Sequence, residues 1–297
     1  MPIRIGSQLK ILMTFLALGL VTAALAEDGP TRLVQRSTLD WSEKANWFGG
    51  ISGVEVSNDG GRLTAITDRG RVIEANLVRN GDLLEGIEID HAVALHDPAG
   101  KRLVKPFIDS EGLAIDANGT AYVSFEGKHR IATVNVANGT TAPVPTLPDF
   151  DFLHHNSGLE ALAINADGTL FTLPEQSDGD AFPLFAYQNG AWSLAAQIPR
   201  KGPFLPVGAD FGADGILYLL ERTITLLGFR SQIRRFDLSK PDLGEELLLQ
   251  TLPSRFDNLE AISVWQNAQG NTYLTLIADD NFIPIQRTQV VEFELLK

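Results

Sequence analysis

Carboxylates recur along this chain at two kinds of position. Glu111, Glu160 and Glu260 each open a short apolar run, and Ser52 and Val207 open two further runs of the same kind. Asp68, Glu126, Glu175, Glu221 and Asp279 each stand where the following apolar run ends. Carboxylates gathered at one place repel: each pair about 4 Å apart costs on the order of 4 kcal/mol at an effective dielectric of 20. Three kinds of compensation are open. The acids pair with adjacent bases such as Arg69, Arg130 and Arg222; or some keep a proton and become general acids; or they share a hard cation, for which rings of carboxylate oxygen suit calcium or magnesium better than zinc. Glu111, Glu160 and Glu260 have no basic neighbour within two residues, which favours the last for them. His129, beside Arg130 in the turn after Glu126, is the best-placed histidine for proton transfer. His154 and His155 are adjacent, so at most one would face a common site from a strand.

The elements that must position these acids repeat. Each unit reads as an apolar strand, an Asn/Asp-Gly type turn, a second apolar strand and then an acid. Taking 52, 111, 160, 207 and 260 as equivalent positions gives spacings of 59, 49, 47 and 53 residues, the length of a propeller blade. The turn glycines Gly60, Gly119, Gly168, Gly215 and Gly270 supply the positive φ of tight hairpins. Two further alternating runs follow each acid, so each unit holds four strands. The last unit is one strand short, and the run 32–39 ahead of the first unit can complete it, leaving no open edge. The expectation is an all-β fold, a β-propeller of five blades with four antiparallel strands each, closed by the N-terminal strand; six blades are the alternative. The first strand of each blade lines the channel, so the entering and leaving acids share one mouth.

The N-terminus carries Arg4 and Lys10, an apolar run 11–21 and a small-residue site at Ala24-Leu25-Ala26, the grammar of a cleaved secretory signal over 1–26 ahead of a propeller over 27–297. A periplasmic or secreted protein without a stable membrane anchor is expected. The formal charge of −13 argues against nucleic acid as a partner, and the absence of cysteine removes disulfides, thiolate zinc sites and cysteine nucleophiles. The segment around Ser52 is not a nucleophile elbow, and no His-Glu-x-x-His, Walker or dinucleotide motif occurs.

The ordered set 49–53 (Gly-Gly-Ile-Ser-Gly), 109–113 (Asp-Ser-Glu-Gly-Leu), 159–163 (Leu-Glu-Ala-Leu-Ala), 220–222 (Leu-Glu-Arg), 258–262 (Asn-Leu-Glu-Ala-Ile) and 278–282 (Ala-Asp-Asp-Asn-Phe) resembles the bacterial phytase-like proteins described as having esterase-like activity. The blade grammar is also similar to that of the SdiA-regulated periplasmic propellers. These resemblances imply five blades, a calcium ion near the channel, and hydrolysis of a phosphate or carboxylic ester. On that footing Glu111, Glu160, Glu260 and Asp279 are the expected cation ligands, Glu126, Glu175 and His129 the proton carriers, and Arg69, Arg130 and Arg222 the clamps for an anionic small molecule. A monomer is expected, and the competing expectation is a non-catalytic, calcium-stabilised propeller that binds a small molecule or protein on the same face. The chain departs from the family pattern where Ala161 and Ala261 replace glycine and where Val207 replaces an acid.

Overall fold

The computed structural model describes residues 31–145 and 158–296. The signal segment and His154-His155 lie outside them. All regular structure among the described residues is β, in five sheets of four strands. The N-terminal strand β1 (Arg32–Asp40) comes first. Blade one follows with β2 (Ile51–Val56), β3 (Arg62–Thr67), β4 (Arg71–Asn80) and β5 (Leu83–Ala94). Blade two is β6 (Ser110–Ile115), β7 (Ala121–Phe125), β8 (Arg130–Val134) and β9 (Thr141–Pro143). Blade three is β10 (Leu159–Ile164), β11 (Leu170–Pro174), β12 (Ala181–Gln188) and β13 (Ala191–Pro199). Blade four is β14 (Leu205–Phe211), β15 (Leu217–Thr225), β16 (Gly228–Phe236) and β17 (Glu246–Gln250). Blade five is β18 (Leu259–Gln266), β19 (Thr272–Ala278) and β20 (Gln289–Leu296), with β1 as its outer strand.

The inner strands touch in the order β2, β6, β10, β14, β18 and back to β2, which closes the ring and settles the blade count at five. Closure is made by antiparallel pairing of β1 with β20, from Arg32 opposite Leu296 to Asp40 opposite Gln289. A second tie joins blades one and five: Arg79 on β4 donates to Glu292 on β20 at 2.7 and 2.9 Å and lies over the Trp265 ring.

Alternating apolar residues on both faces of each sheet build the core between blades. Ile66 and Val72 of blade one pack with Leu113 and Val123 of blade two, and Leu63 and Ile73 pack with Trp265 and Ile277 of blade five. All five expected hairpin glycines have positive φ, from 67° at Gly60 to 83° at Gly270. In three of these turns an Asx side chain caps the loop; Asp116 accepts from the backbone N–H of Asn118 and Thr120.

Candidate functional site at the channel mouth

The pairing of the first and second strands slips by one residue at the same point in every blade. Ile51 faces Thr67 but Gly53 faces Ile66; Leu159 faces Pro174 but Ala161 faces Leu173; Leu259 faces Ala278 but Ala261 faces Ile277. Blades two and four repeat the slip, with Glu111 and Gly112 set against Ser124 alone and with Val207 unpaired. A bulge leaves one residue out of the ladder and re-aims it. Here that residue is Ser52, Glu111, Glu160, Val207 or Glu260.

The residue after each bulge is small, namely Gly53, Gly112, Ala161, Gly208 or Ala261. A Cβ on Gly112 would lie 2.7 Å from Leu162 Cβ and 2.8 Å from Glu160 O, and one on Gly208 would lie 2.6 Å from Glu260 O. These small residues let the five inner strands close to a waist whose free space is about 10 Å³, room for about one water. The acidic mouth is therefore a bowl with a nearly closed floor.

The leaving acids are fixed by the same register. The backbone N–H groups of Asp68, Glu126, Glu175 and Asp279 donate to the carbonyls of Gly50, Asp109, Gly158 and Asn258, at 2.8 to 3.1 Å. In blade four the equivalent pairing is Arg222 with Leu205. Glu221, expected at the mouth, instead stands one residue earlier and faces into the blade. There it is fully buried and accepts from Arg234 Nε and Nη2, each at 2.6 Å, and from Gln232 at 2.8 Å. The reason is strand alternation: β15 runs on to Thr225, so the acid that ends the apolar run is not the residue that ends the blade. The ring of leaving residues is four acids and one arginine.

That arginine ties the bowl together. Arg222 Nη1 donates to Asn258 Oδ1 at 2.5 Å and to Glu260 Oε1 at 2.7 Å, and Nη2 reaches Glu175 Oε1 at 3.5 Å. Burial pushes the Glu260 carboxyl up against the opposing pull of Arg222 and of hydrogen bonds from Asn258 and Asp279. Glu111 has no such partner, and Glu160 feels Arg222 only as a weaker pull than its acidic neighbours exert. Burial first, then Glu160, Glu260 and Glu126, hold Glu111 well above the usual carboxylate range. Burial, then Glu175 and Glu126, do the same to Glu160. Glu126 is raised by burial and by Asp109 and Glu175. Asp279 rises to about 8 through burial and Glu260, and Asp68 to about 6 through burial opposed by Arg69.

Glycine is required at one point on this rim. Gly50 has φ of 64°, and a Cβ there would fall 2.1 Å from Asp68 Oδ1. Its N–H donates to Asp280, which also caps Phe282. Asp68 Oδ1 is buried without a hydrogen-bond partner.

Of the residues singled out in the sequence, Glu111, Glu160, Glu260, Asp279, Glu126, Glu175 and Arg222 meet at the mouth. Arg69 stands exposed at its rim, its guanidinium 3.1 Å from the centre of the Phe282 ring. His129 is half-buried in the turn between β7 and β8. Arg130 turns to the flank of blade two, donating to the carbonyls of Phe107 and Lys128 and lying 3.8 Å from the centre of the Phe125 ring.

Two acids escaped the sequence reading because they sit inside strands. Glu55 and Asp210 lie at the opposite end of the channel, in a wider depression of about 670 Å³ ringed by the hairpin turns. Asp210 accepts from the N–H of Val264 at 2.6 Å and of Phe211 at 2.7 Å, and burial lifts it to about 7. Glu55 accepts from Ile115 N–H at 3.3 Å and is raised well above its ordinary range by burial and by Asp210. A charged residue in the middle of an apolar strand was the available signal.

A closed ring of five blades, with a bulge in each inner strand turning its first residue to one acidic mouth, defines a five-bladed β-propeller with a central polar site. The chain belongs to the Phytase-like family, described by its esterase-like activity of phytase, whose pattern matches residues 46–282. Among curated proteins none matches the chain. Among solved structures it is similar to the α-L-arabinofuranosidase of Podospora anserina in complex with cellotriose, at 12% identity and a TM-score of 0.54 over 89% of this chain and 97% of that one. It is also similar to the PQQ-bound aldose sugar dehydrogenase of Streptomyces coelicolor, at 11% identity and a TM-score of 0.48 over 87% and 98%. At these identities the likeness concerns the fold alone.

Proposed function

We propose that this protein is a periplasmic or secreted ester hydrolase that works at the acidic mouth with a divalent cation, calcium fitting best, on a small phosphate or carboxylic ester. The observation that carries the reading is the meeting of Glu111 and Glu160, both crowded by other acids and neither in a hydrogen bond or ion pair with a base, Arg222 acting on Glu160 only at longer range. Hard oxygen donors of like charge suit a hard cation, and its binding would offset the burial and the repulsion that together raise both groups. Among the described residues no group of three or more His, Asp or Glu is spaced to hold an ion as the side chains stand, so the four-residue ligand set is not preassembled. Glu260 is occupied by Arg222, Asn258 and Asp279, which leaves Glu111 and Glu160 to hold the cation. When bound, the cation supplies charge neutralisation and polarises the ester oxygen.

The chain's own residues do the rest. Arg222, fixed by Glu175 and Glu260, presents a guanidinium to an anionic group entering the bowl, and Arg69 offers a second at the rim. Glu126, raised by its surroundings, carries the proton to the departing oxygen. The narrow floor keeps substrate and water on the mouth side.

The test is the initial rate on 4-nitrophenyl phosphate and 4-nitrophenyl acetate with calcium or with chelator. Turnover of one of them should fall with chelator and drop about a hundredfold in the Glu111→Gln/Glu160→Gln double variant. Calcium should raise the melting temperature of the wild type and not that of the variant. A calcium-dependent melting shift without turnover would leave a cation-stabilised binding protein, and neither effect would end the reading.

A further inference from the structure

The spacing between the first two units, 59 residues against 47 to 53 elsewhere, includes a long connection from β5 to β6 that no blade requires. Residues 95–109 fold over the flank of blade two. Leu103 N–H donates to Leu95 O at 2.9 Å, His96 bridges to Arg102 and to Thr140, and Asp97 Oδ1 caps the turn by accepting from Ala99 and Lys101 N–H at 2.9 Å. Together with β8 and β9 this connection encloses a cavity of about 460 Å³, within the range of small-molecule sites.

The lining of this cavity opposes the rest of the molecule in charge. Lys101, Arg102, Lys105 and Arg130 line it, and Asp97 is its one acid. Lys105 pairs with Asp109 at 3.5 Å, but Lys101, Arg102 and Arg130 have no carboxylate within 4.0 Å among the described residues. Arg130 donates only to carbonyl oxygens, and burial alone pushes it down to about 10, as expected of a cation with no acid beside it. The Arg71 guanidinium is lowered by burial and by the charge of Arg102. In a chain of charge −13, three guanidinium or ammonium groups without an ion-pair partner around one hollow that holds a single acid, Asp97, are a built-in excess. The walls between them are apolar: Leu103 is buried, and Phe107 is 45% exposed.

None of the mouth acids lines this cavity, although Lys105 at its edge also acts on Asp68 and Glu126 through its charge. We infer that this flank cavity is a second binding site for a small organic anion with an apolar body, an aryl or alkyl carboxylate, sulfonate or phosphate. The cations take the acidic head and the apolar walls take the body, a division of labour that a free inorganic ion would not need. The inference is independent of hydrolysis at the mouth.

The probe is 8-anilinonaphthalene-1-sulfonate, titrated by fluorescence into the native protein at pH 7, with uncharged N-phenyl-1-naphthylamine as its counterpart. The sulfonate should saturate at one site and bind more tightly than the uncharged ring. Its affinity should fall about tenfold in Lys101→Gln/Arg102→Gln and in Arg130→Gln, and stay unchanged in Arg32→Gln. Arg130 stacks on the buried Phe125, so the double variant of two exposed residues, with its melting temperature unchanged, carries the test if Arg130→Gln does not fold. No saturation, equal affinity for the uncharged ring, or full affinity in the folded double variant would overturn the assignment.

Discussion

Replacing Glu221 by glutamine tests the register of blade four. The side chain keeps its shape but loses its charge, and Arg234, 1% exposed, loses its anionic partner: of its two 2.6 Å contacts, one now meets an amide oxygen and the other an NH2 that cannot accept. Removing one partner of a buried ion pair costs about 3–5 kcal/mol because the other charge is stranded. Arg234 retains Glu245 at 3.0 Å and the Pro199 carbonyl at 2.9 Å, which places the loss near the lower end, about 3 kcal/mol. At roughly 2–4 °C per kcal/mol for a domain of this size, the melting temperature should fall by roughly 6–12 °C. Thermal and urea unfolding followed by circular dichroism read the loss, and turnover measured well below the transition should be unchanged. A loss under about 1 kcal/mol, or full stability with reduced turnover, would mean that Glu221 faces the mouth after all.

Other perturbations follow from the same geometry. Asp210 sits at about 7 against an ordinary value of 3.8, so its contribution is complete below about pH 4 and is lost as the pH rises through 7. The wild type should therefore lose up to about 3 kcal/mol between pH 5 and pH 8 relative to Asp210→Asn, measured by urea unfolding at both pH values; parallel profiles would refute the assignment. Gly112→Ala forces a methyl group against Leu162 and the Glu160 carbonyl and should cost about 1–3 kcal/mol, with a neutral result contradicting the tight waist. Arg222→Gln should reduce turnover of an anionic ester more than that of an uncharged one in paired kinetic assays, and equal losses would remove its role as a clamp.

The repeat makes the architecture legible in the sequence. Hairpin glycines and alternating apolar runs are local signals, and they placed Gly60 through Gly270 and the closing strand β1 correctly. The convergence of Glu111, Glu160 and Glu260 followed from the ring alone. What alignment by residue type could not reveal was the direction of a side chain. Glu221 and Arg222 are adjacent, and only the pairing of Leu205 with Arg222 decides which one reaches the mouth. The bulge behind each entering residue was equally hidden, because a one-residue slip depends on two strands together. Arg130 was drawn away from the mouth by contacts with Phe107 and Phe125, the first of which belongs to the long connection into blade two.

The most direct measurement is anomalous diffraction from crystals soaked in a lanthanide that substitutes for calcium. One strong peak is expected in the bowl between Glu111 and Glu160, lost in the Glu111→Gln/Glu160→Gln variant. A peak confined to another part of the molecule, or an empty bowl in crystals of a protein whose turnover needs calcium, would contradict that expectation.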